Sequence, residues 1–540
     1  MSLLSPAELM TDRLLRPIAP HALKAMLADG GELALIDLRE ELVFSQRHLL
    51  LARSLPLSRL ELKFAQLVPR RSTRIVLCDD GEGLIERAAR VLADAGYQDL
   101  QFLEGGVTGW ERAGFLLFSG VNVPSKAFGE LVEHKSQTPS LDAADLDQLI
   151  RSKADLVVLD SRPFDEYRRV SIPSAVNVPG AELVLRVRDL APSSDTLVVV
   201  NCAGRTRSII GAQSLINAGV PNKVMALRNG TMGWSLAGLS CEHGQSRRAP
   251  PPSGAAREWA GQAAAQAAER SGVACIDRAT LARWQSEREE RTLYLFDVRD
   301  PEEYALGHVA GAVSAPGGQL VQATDQYIGT LCSRIVLVDD VGARAFMTAS
   351  WLRQMGWNEV AVLIAAGDET GFPVAPVLGP PADEQLAMNP SELGALLAHD
   401  MATVVDLSLS RDYLAAHIQG AWFAIRSRLA QGLASIAPRG TLVLTSEDGV
   451  LAAMAARETQ ALTACPVRFL AGGNRGWQAA GHPLVRDERR MADEAIDAWL
   501  KPYERGNASS KAMREYLAWE VDLLDRVARD GSLAFTPLPA

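Results

Sequence analysis

The amino-acid sequence predicts an α/β protein of four tandem domains, each a mostly parallel sheet flanked by helices, followed by a helical C-terminal tail. Three cues that recur in the same order along the 540 residues support this prediction. Each repeat opens with an apolar strand that ends in aspartate, continues some forty residues later with a second apolar strand, and closes on a Gly-aromatic turn. The aspartates are Asp37, Asp160, Asp297 and Asp406, and the closing aromatic residues are Trp110, Trp234, Phe372 and Trp477.

The end of the second strand is the position that we compare across the repeats. Counting back from the closing aromatic residue aligns Cys78, Cys202, Val338 and Thr445. Each of these residues lies 32 positions before its aromatic residue in domains one, two and four, and 34 positions before it in domain three. Amphipathic stretches of helical length, such as 83–96 and 208–219, lie between the strands. Strands that alternate with helices form a parallel sheet covered on both faces. Such sheets bind ligands at the carboxyl ends of their strands, so these four positions are candidate sites.

Changes in composition between the repeats predict the domain boundaries. Prolines cluster in segments 245–254 and 373–384, as is typical of linkers, and 255–270 has a helical composition. After Pro483 the repeat pattern ends, and 491–503 and 509–529 have the pattern of helices. The predicted segments are 1–123 for domain one, 124–245 for domain two, 246–270 for the linker and its helix, 271–380 for domain three, 381–487 for domain four and 488–540 for the tail.

Composition excludes several classes of protein. The net charge of −10 without a basic cluster argues against nucleic-acid binding. The N-terminal residues lack the pattern of a signal peptide, and no apolar run is long enough to predict a membrane span. The six cysteines are widely spaced, which is typical of a reducing compartment and predicts a cytoplasmic location. The eight histidines form no ligand-like cluster, so we expect neither a metal nor another cofactor.

The loop that begins at Cys202 has the pattern of an activated sulfur nucleophile. An apolar strand ends at this cysteine, a short loop with Arg205 and Arg207 follows, and a helix then begins. The first N–H groups of a helix lack intrahelical partners and carry partial positive charge, so they form a cradle for an anion. This environment favours a thiolate over a thiol. The loop therefore predicts a thiolate that faces an anionic substrate.

This loop resembles the active-site loop of the rhodanese family of sulfurtransferases. The resemblance implies that Cys202 is the catalytic residue and forms a persulfide, and that the basic residues meet the sulfonate of thiosulfate. It also implies that Asp160 and Arg162, at the end of the first strand, brace the floor of the site. The implied substrate-binding residues are Ala203, Gly204, Arg205, Thr206, Arg207 and Ser208.

The other three loops differ from this pattern. In domain one, Asp79 and Asp80 follow Cys78, and their carboxylates would disfavour a thiolate and repel thiosulfate. Cys78 is therefore only a possible second sulfur site. Domain three carries Val338, which cannot hold sulfur, and domain four carries Thr445 without a recognisable base, so we expect both domains to be inactive. The rhodanese family often pairs an active with an inactive domain, so the resemblance implies two halves, domain one with two and domain three with four.

The favoured function is transfer of sulfane sulfur from thiosulfate, through a persulfide on Cys202, to cyanide, a thiol or a protein. The expected partners are thus a small anionic sulfur donor and a thiol or protein acceptor, without nucleic acid or membrane. Three alternatives remain open: a sulfur relay or scaffold whose inactive domains bind partners, a 3-mercaptopyruvate sulfurtransferase, and a phosphatase or arsenate reductase with a similar fold. The short loop argues against the last of these, since phosphate requires a wider cradle.

Overall fold

The computed structural model describes residues 15–486, 489–505 and 509–538. It contains four parallel sheets flanked by helices, as the repeats predicted. In each sheet the strand order, in order of appearance within that domain, is 1-5-4-2-3, and the fourth sheet adds a sixth strand from the tail. The predicted boundary between domain four and the tail, at 487/488, lies outside the described residues, as do the first fourteen residues of domain one and the last two of the tail.

Domain one forms the first sheet. Its strands are Leu15–Ile18, Leu33–Asp37, Arg53–Ser54, Arg74–Cys78 and Asp99–Leu103. Its helices are Pro20–Met26, Glu41–Gln46, Leu60–Leu67, Ile85–Asp94 and Gly106–Arg112, with a 3-10 turn at Leu57–Arg59. The strand Leu33–Asp37 is buried along its whole length, because helices cover both faces of the sheet.

Domain two forms the second sheet and is preceded by the helix Val123–Ser136. Its strands are Ser140–Leu141, Leu156–Asp160, Val176–Asn177, Leu197–Asn201 and Val224–Leu227. Its helices are Ala143–Arg151, Phe164–Arg169, Leu183–Leu190, Thr206–Asn217 and Gly230–Leu236, with a 3-10 turn at Gly180–Glu182.

Domain three forms the third sheet, and the linker helix Gly254–Glu269 packs between it and domain two. Its strands are Ala274–Cys275, Leu293–Asp297, Val313–Ser314, Arg334–Asp339 and Glu359–Ile364. Its helices are Arg278–Ser286, Pro301–Leu306, Gly317–Gln322, Thr324–Tyr327 and Ala343–Gln354. The predicted closing turn differs here: no helix follows the last strand, and Phe372 is 62% exposed.

Domain four forms the fourth sheet. Its strands are Ala387–Met388, Ala402–Asp406, Trp422–Phe423, Thr441–Thr445 and Val467–Leu470. Its helices are Pro390–Ala398, Ser410–Ala415, Leu429–Ile436, Val450–Thr459 and Gly473–Ala479, with 3-10 turns at Glu384–Leu386 and Arg426–Arg428.

The strand register corrects the predicted alignment of the four loops by one position. Asp37 lies opposite Cys78, whereas Asp160 lies opposite Asn201 rather than Cys202. Cys78 is therefore the counterpart of Asn201. The residues equivalent to Cys202 are Asp79, Asp339 and Ser446. The count from the closing aromatic residue failed because domain two has one more residue between the strand end and its tryptophan.

The domains associate differently from the predicted halves. Domain two meets domain three through equivalent segments, where Arg344 of domain three donates to Glu182 of domain two at 2.9 Å. Domain one meets domain four, where Arg426 donates to both oxygens of Glu61 at 2.8 and 3.0 Å. The polar side chains that form these contacts lie outside the repeated cues, so the repeats did not reveal the pairing.

The tail is helical only in its second half. Segment 491–503, predicted as a helix, runs as irregular chain into a 3-10 turn at Pro502–Glu504, after a strand at Arg490–Met491 that joins the fourth sheet. Its Asp493 and Asp497 accept hydrogen bonds from the backbone N–H groups of Ile425 and Ser410 in domain four. These contacts hold the segment against domain four as irregular chain instead of a helix. The helix Ser510–Asp530 matches the second predicted helix and packs against Val123–Ser136. Within the described residues, no helix has the length and apolarity to span a membrane.

Candidate active site

The Cys202 thiol lies where the strand Leu197–Asn201 gives way to the helix Thr206–Asn217. It is 2% exposed, and its Sγ lies 3.5 Å from the hydroxyl of Ser208. That hydroxyl donates to the carbonyl of Arg205 at 2.8 Å, so it accepts from the thiol. Gly230 from the closing turn packs directly on the carbonyl of Cys202, at a positive φ and with no room for a Cβ atom. The turn thereby fixes the start of the loop.

The backbone N–H groups of residues 203–207 have no hydrogen-bond partner within the described part of the chain. Arg205 is the N-cap residue of the helix, and no side chain caps it. These donors belong to the loop that joins Cys202 to the positive N-terminal end of the helix. Unpaired donors at such a helix end can accept an anion, so the predicted anion cradle stays a prediction that this geometry allows.

Two of the other loops contain an anion of their own at the position of Cys202. In domain one, the carboxylate of Asp79 accepts from the N–H of Gly81 at 3.1 Å and of Leu84 at 2.9 Å. In domain three, Asp339 accepts from the N–H of Arg344 at 2.8 Å, with Val341 N–H at 3.4 Å. The donors lie two and five residues after the aspartate in both loops, and the corresponding donors after Cys202 belong to Gly204 and Arg207.

This equivalence indicates what the Cys202 loop can hold. The carboxylate oxygens of an aspartate lie the same number of bonds from Cα as the outer sulfur of a cysteine persulfide. An anionic outer sulfur on Cys202 therefore has the N–H groups of Gly204 and Arg207 within reach. In domain four the equivalent residue is Ser446, whose hydroxyl accepts from the N–H of Ala452 at 3.3 Å. This loop therefore has a neutral acceptor at the position of Cys202.

The two loop arginines lie in the wall of the Cys202 cavity and are each paired with carboxylates. Arg205 donates to both oxygens of Glu130 at 2.7 Å and also contacts Glu133. Arg207 donates to Glu166 at 2.8 and 3.0 Å and to Gln319 of domain three at 3.1 Å. A sequence-based count of arginines missed these partners, since they come from distant segments.

Glu166 lies between two cations. Lys501 from the tail donates to it at 2.8 Å, on the carboxylate that Arg207 also contacts. Burial opposes ionisation of Glu166, but Arg207 and Lys501 together hold its pKa well below the usual value. Burial lowers the pKa of Lys501, although Glu166 opposes this effect. The three side chains form one half-buried cluster beside the loop.

Asp160 and Arg162 lie beneath the loop and are completely buried. Arg162 donates to both oxygens of Asp160, at 2.8 and 2.7 Å, and to the carbonyl of Val170. Asn201 donates to the same aspartate at 2.9 Å, one residue before Cys202. The pair thus contacts the strand end that immediately precedes Cys202, and Asn201 is a third member that sequence reasoning missed.

A cavity of about 1010 Å³ opens in front of Cys202. All four domains and the tail contribute to its wall, which residues 203–207 line at the catalytic loop. The wall residues that sequence reasoning missed include Lys126, Gln319, Arg411, Lys501, Tyr503, Tyr516 and Glu520. They are far apart in the sequence and converge only because the domains pack together.

The remaining cysteines lie in other environments. Cys78 is fully buried, and burial followed by the nearby Asp37 raises its pKa well above the usual value. Burial also raises the pKa of Cys241, which is absent from the cavity wall that the described residues form. Cys275 and Cys332 are exposed, and Cys465 is half-buried.

Comparison with known proteins gives a consistent result. The model of the rhodanese-like domain family matches residues 19–113, 142–237 and 279–366, which together make up more than half of the chain. A solved structure, the thiosulfate sulfurtransferase from Pseudomonas aeruginosa, is 49% identical, with 97% of this chain and 100% of that chain covered and a TM-score of 0.93.

Two curated relatives match single regions. An HTH-type transcriptional regulator of Mycobacterium tuberculosis is 32% identical over 94 residues, which are 17% of this chain and 41% of that protein. An uncharacterized protein of Synechocystis is 35% identical over 107 residues, which are 20% of this chain and 58% of that protein. The chain thus spans only about half the length of these two relatives.

Proposed function

The chain belongs to the rhodanese-like family, and from this premise we propose that it is a thiosulfate sulfurtransferase that carries sulfur on Cys202. The observation that carries the proposal is that the N–H groups of the Cys202 loop have no acceptor among the described residues. In the equivalent loops of domains one and three, the carboxylates of Asp79 and Asp339 accept from the corresponding N–H groups. The 49% identity to a thiosulfate sulfurtransferase over nearly the whole chain supports the choice of donor.

In the first step, the Cys202 thiolate attacks the outer sulfur of thiosulfate. A bond forms between Sγ and that sulfur, the S–S bond of thiosulfate breaks, and sulfite leaves with the electron pair. The negative charge then resides on the outer sulfur of the persulfide, where the N–H groups of Gly204 and Arg207 stabilise it. Covalent catalysis of this kind divides one transfer into two easier steps.

In the second step, a thiophilic acceptor attacks the outer sulfur, and Cys202 leaves as a thiolate with the electron pair. The acceptor is cyanide, a thiol or a protein thiol, and the large cavity accommodates acceptors of several sizes. Ser208 holds the thiol in place through its hydroxyl, and Ala203 and Thr206 complete the cradle.

Cys78, the possible second sulfur site, has no role in this proposal. Its side chain occupies the position of Asn201, and the donors of its loop already bind Asp79. The two C-terminal domains are assigned a structural role, because they build the wall of the Cys202 cavity. We also propose a cytoplasmic location, which the dispersed cysteines favour.

The test is steady-state kinetics with two donors. We expect sulfite release from thiosulfate in the presence of cyanide, with a higher kcat/KM than pyruvate release from 3-mercaptopyruvate. If the kcat/KM for 3-mercaptopyruvate is the higher one, thiosulfate is not the preferred donor and 3-mercaptopyruvate takes its place in the proposal. Hydrolysis of a phosphate ester without either sulfur transfer would contradict sulfurtransferase activity altogether.

A further inference from the structure

The C-terminal helix Ser510–Asp530 places a carboxylate directly against the Cys202 loop. Glu520 is 2% exposed, and a Cβ atom built on Gly204 would lie 3.1 Å from its Oε2 atom. Because Gly204 is only two residues from Cys202, this carboxylate faces the thiol's own loop.

The two oxygens of Glu520 have different environments. Oε1 accepts from Lys126 at 2.8 Å and from the hydroxyl of Tyr516 at 3.0 Å. Oε2 is buried and has no hydrogen-bond partner among the described residues. A buried carboxylate oxygen without a donor is costly, so native structures rarely leave one unsatisfied. This oxygen marks the place of a hydrogen-bond donor that the protein itself does not supply.

Other features of the cavity agree with a second ligand. The buried hydroxyls of Thr206 and Tyr503 line the same cavity and also lack partners within the described part of the chain. A volume of about 1010 Å³ exceeds what thiosulfate or cyanide requires and lies at the upper end of ordinary ligand sites. The cavity thus has room beyond the sulfur donor, and Glu520, Thr206 and Tyr503 in its wall each carry a polar atom without a partner among the described residues.

On the basis of the proposed function, we propose that Glu520 selects the sulfur acceptor, and that this acceptor is a small thiol bearing an ammonium group. An ionised carboxylate only accepts hydrogen bonds, whereas an ammonium group only donates them and carries the opposite charge. The acceptor thiolate attacks the outer sulfur of the persulfide, the bond from that sulfur to Sγ breaks, and Cys202 recovers its thiolate. The acceptor leaves as a persulfide, and no oxidant or reductant is consumed.

The first experiment compares two acceptors of equal length, 2-aminoethanethiol and 2-mercaptoethanol, with thiosulfate as donor. The ratio of their kcat/KM values is measured in the wild type and in Glu520→Gln, so the intrinsic reactivities of the two thiols cancel. We expect the ratio to fall about tenfold in Glu520→Gln, the effect of losing one charge-assisted contact. Glu515→Gln, on an exposed face of the same helix, is the matched control and leaves the ratio unchanged.

Glu520→Gln leaves Lys126 without its counter-charge, so a second variant guards against misfolding. Lys126→Met combined with Glu520→Gln removes both charges of the buried pair together. The same fall in the ratio is expected in this double variant.

A second readout does not depend on sulfur transfer. The rate at which Cys202 reacts with 2-aminoethyl methanethiosulfonate is compared with its rate with methyl methanethiosulfonate, by peptide mass mapping. We expect the preference for the cationic reagent to fall in Glu520→Gln and to persist in Glu515→Gln.

The two readouts separate the outcomes. If thiosulfate loads no sulfur but the cationic preference depends on Glu520, the proposed function fails and the ammonium site stands. If loading is normal and neither ratio changes in Glu520→Gln, the acceptor inference is wrong, and a water molecule satisfies Oε2.

Discussion

Arg207 donates one hydrogen bond to each carboxylate oxygen of Glu166, at 3.0 and 2.8 Å, beside the loop that begins at Cys202. Lys501 adds a second cation to the same carboxylate. Arg205 contributes no free charge, because Glu130 and Glu133 hold it. Arg207, Lys501 and Glu166 thus leave one positive charge in excess beside the loop, whereas Arg205 with its two glutamates leaves one negative charge in excess. The positive field that we propose at the thiol therefore depends on the backbone N–H groups and on the Glu166 cluster, rather than on Arg205.

Neutralising Glu166 tests this account of the field. In Glu166→Gln, Arg207 and Lys501 keep their charges without a carboxylate between them. We expect the KM for thiosulfate to fall about fivefold at low ionic strength, which corresponds to roughly 1 kcal/mol of added attraction for the dianion, and to depend more steeply on salt. The chain is also expected to lose about 2 kcal/mol of stability, since a half-buried ion pair is broken and two cations lose their shared carboxylate.

Asp145→Asn is the control for this measurement, because Asp145 is an exposed carboxylate of domain two outside the wall of the Cys202 cavity. It should leave both KM and its salt dependence near the wild-type values. An unchanged KM in Glu166→Gln would mean that the cluster does not act on the donor.

Replacing the nucleophile by aspartate tests the equivalence of the loops. In Cys202→Asp, the new carboxylate should accept from the N–H groups of Gly204 and Arg207, as Asp79 and Asp339 do in their own loops. We expect this variant to be inactive but about 2 kcal/mol more stable than Cys202→Ala at neutral pH, the contribution of charge-assisted hydrogen bonds.

The comparison uses Cys202→Asn as a neutral side chain of the same shape. Thermal unfolding ranks the three variants Cys202→Asp, Cys202→Asn and Cys202→Ala by their melting temperatures. If Cys202→Asp unfolds at a lower temperature than Cys202→Asn, the loop does not favour an anion at this position.

The contact between domains one and four predicts a pH dependence of stability. Glu40 is buried there and accepts from Ser58 at 3.1 Å and from Ser427 of domain four at 3.0 Å. Burial raises its pKa from 4.5 to about 7. The folded chain therefore binds this proton more tightly than the unfolded chain does. The resulting contribution to folding stability is fully present below pH 4.5 and is lost as the pH rises to about 7. The pKa shift corresponds to about 3 kcal/mol in the free energy of unfolding.

Glu40→Gln removes the titration while keeping the shape of the side chain. Its melting temperature should match the wild type near pH 5 and exceed it near pH 8, because only the wild type then buries a charge. Equal melting temperatures across that range would show that Glu40 does not lose a proton in the folded protein.

The sequence predicted the four sheets well because each repeat carries its own local cues. Buried apolar strands, the terminal aspartates and the Gly-aromatic turns are set by contacts within one domain. Trp110, Trp234 and Trp477, for example, are all buried. Domain three departs because its Phe372 is exposed and no turn helix forms, a change that the residue type alone did not reveal.

The rest of the site depends on contacts between distant segments. The loop alignment erred by one residue, since the spacing to Trp234 contains an extra residue that only the strand register exposes. Glu130, Gln319, Lys501 and Glu520 reach the Cys202 site from four separate segments of the chain. No local pattern distinguishes these residues from ordinary polar residues of a protein surface, so their position at the site followed only from the packing of the domains.

The central claim is that sulfur is carried on Cys202 alone, and intact mass spectrometry after incubation with thiosulfate tests it most directly. The wild type and Cys78→Ala are expected to gain the mass of one sulfur atom, and Cys202→Ala is expected to gain none. Sulfur retained by Cys202→Ala, or lost in Cys78→Ala, would contradict the account.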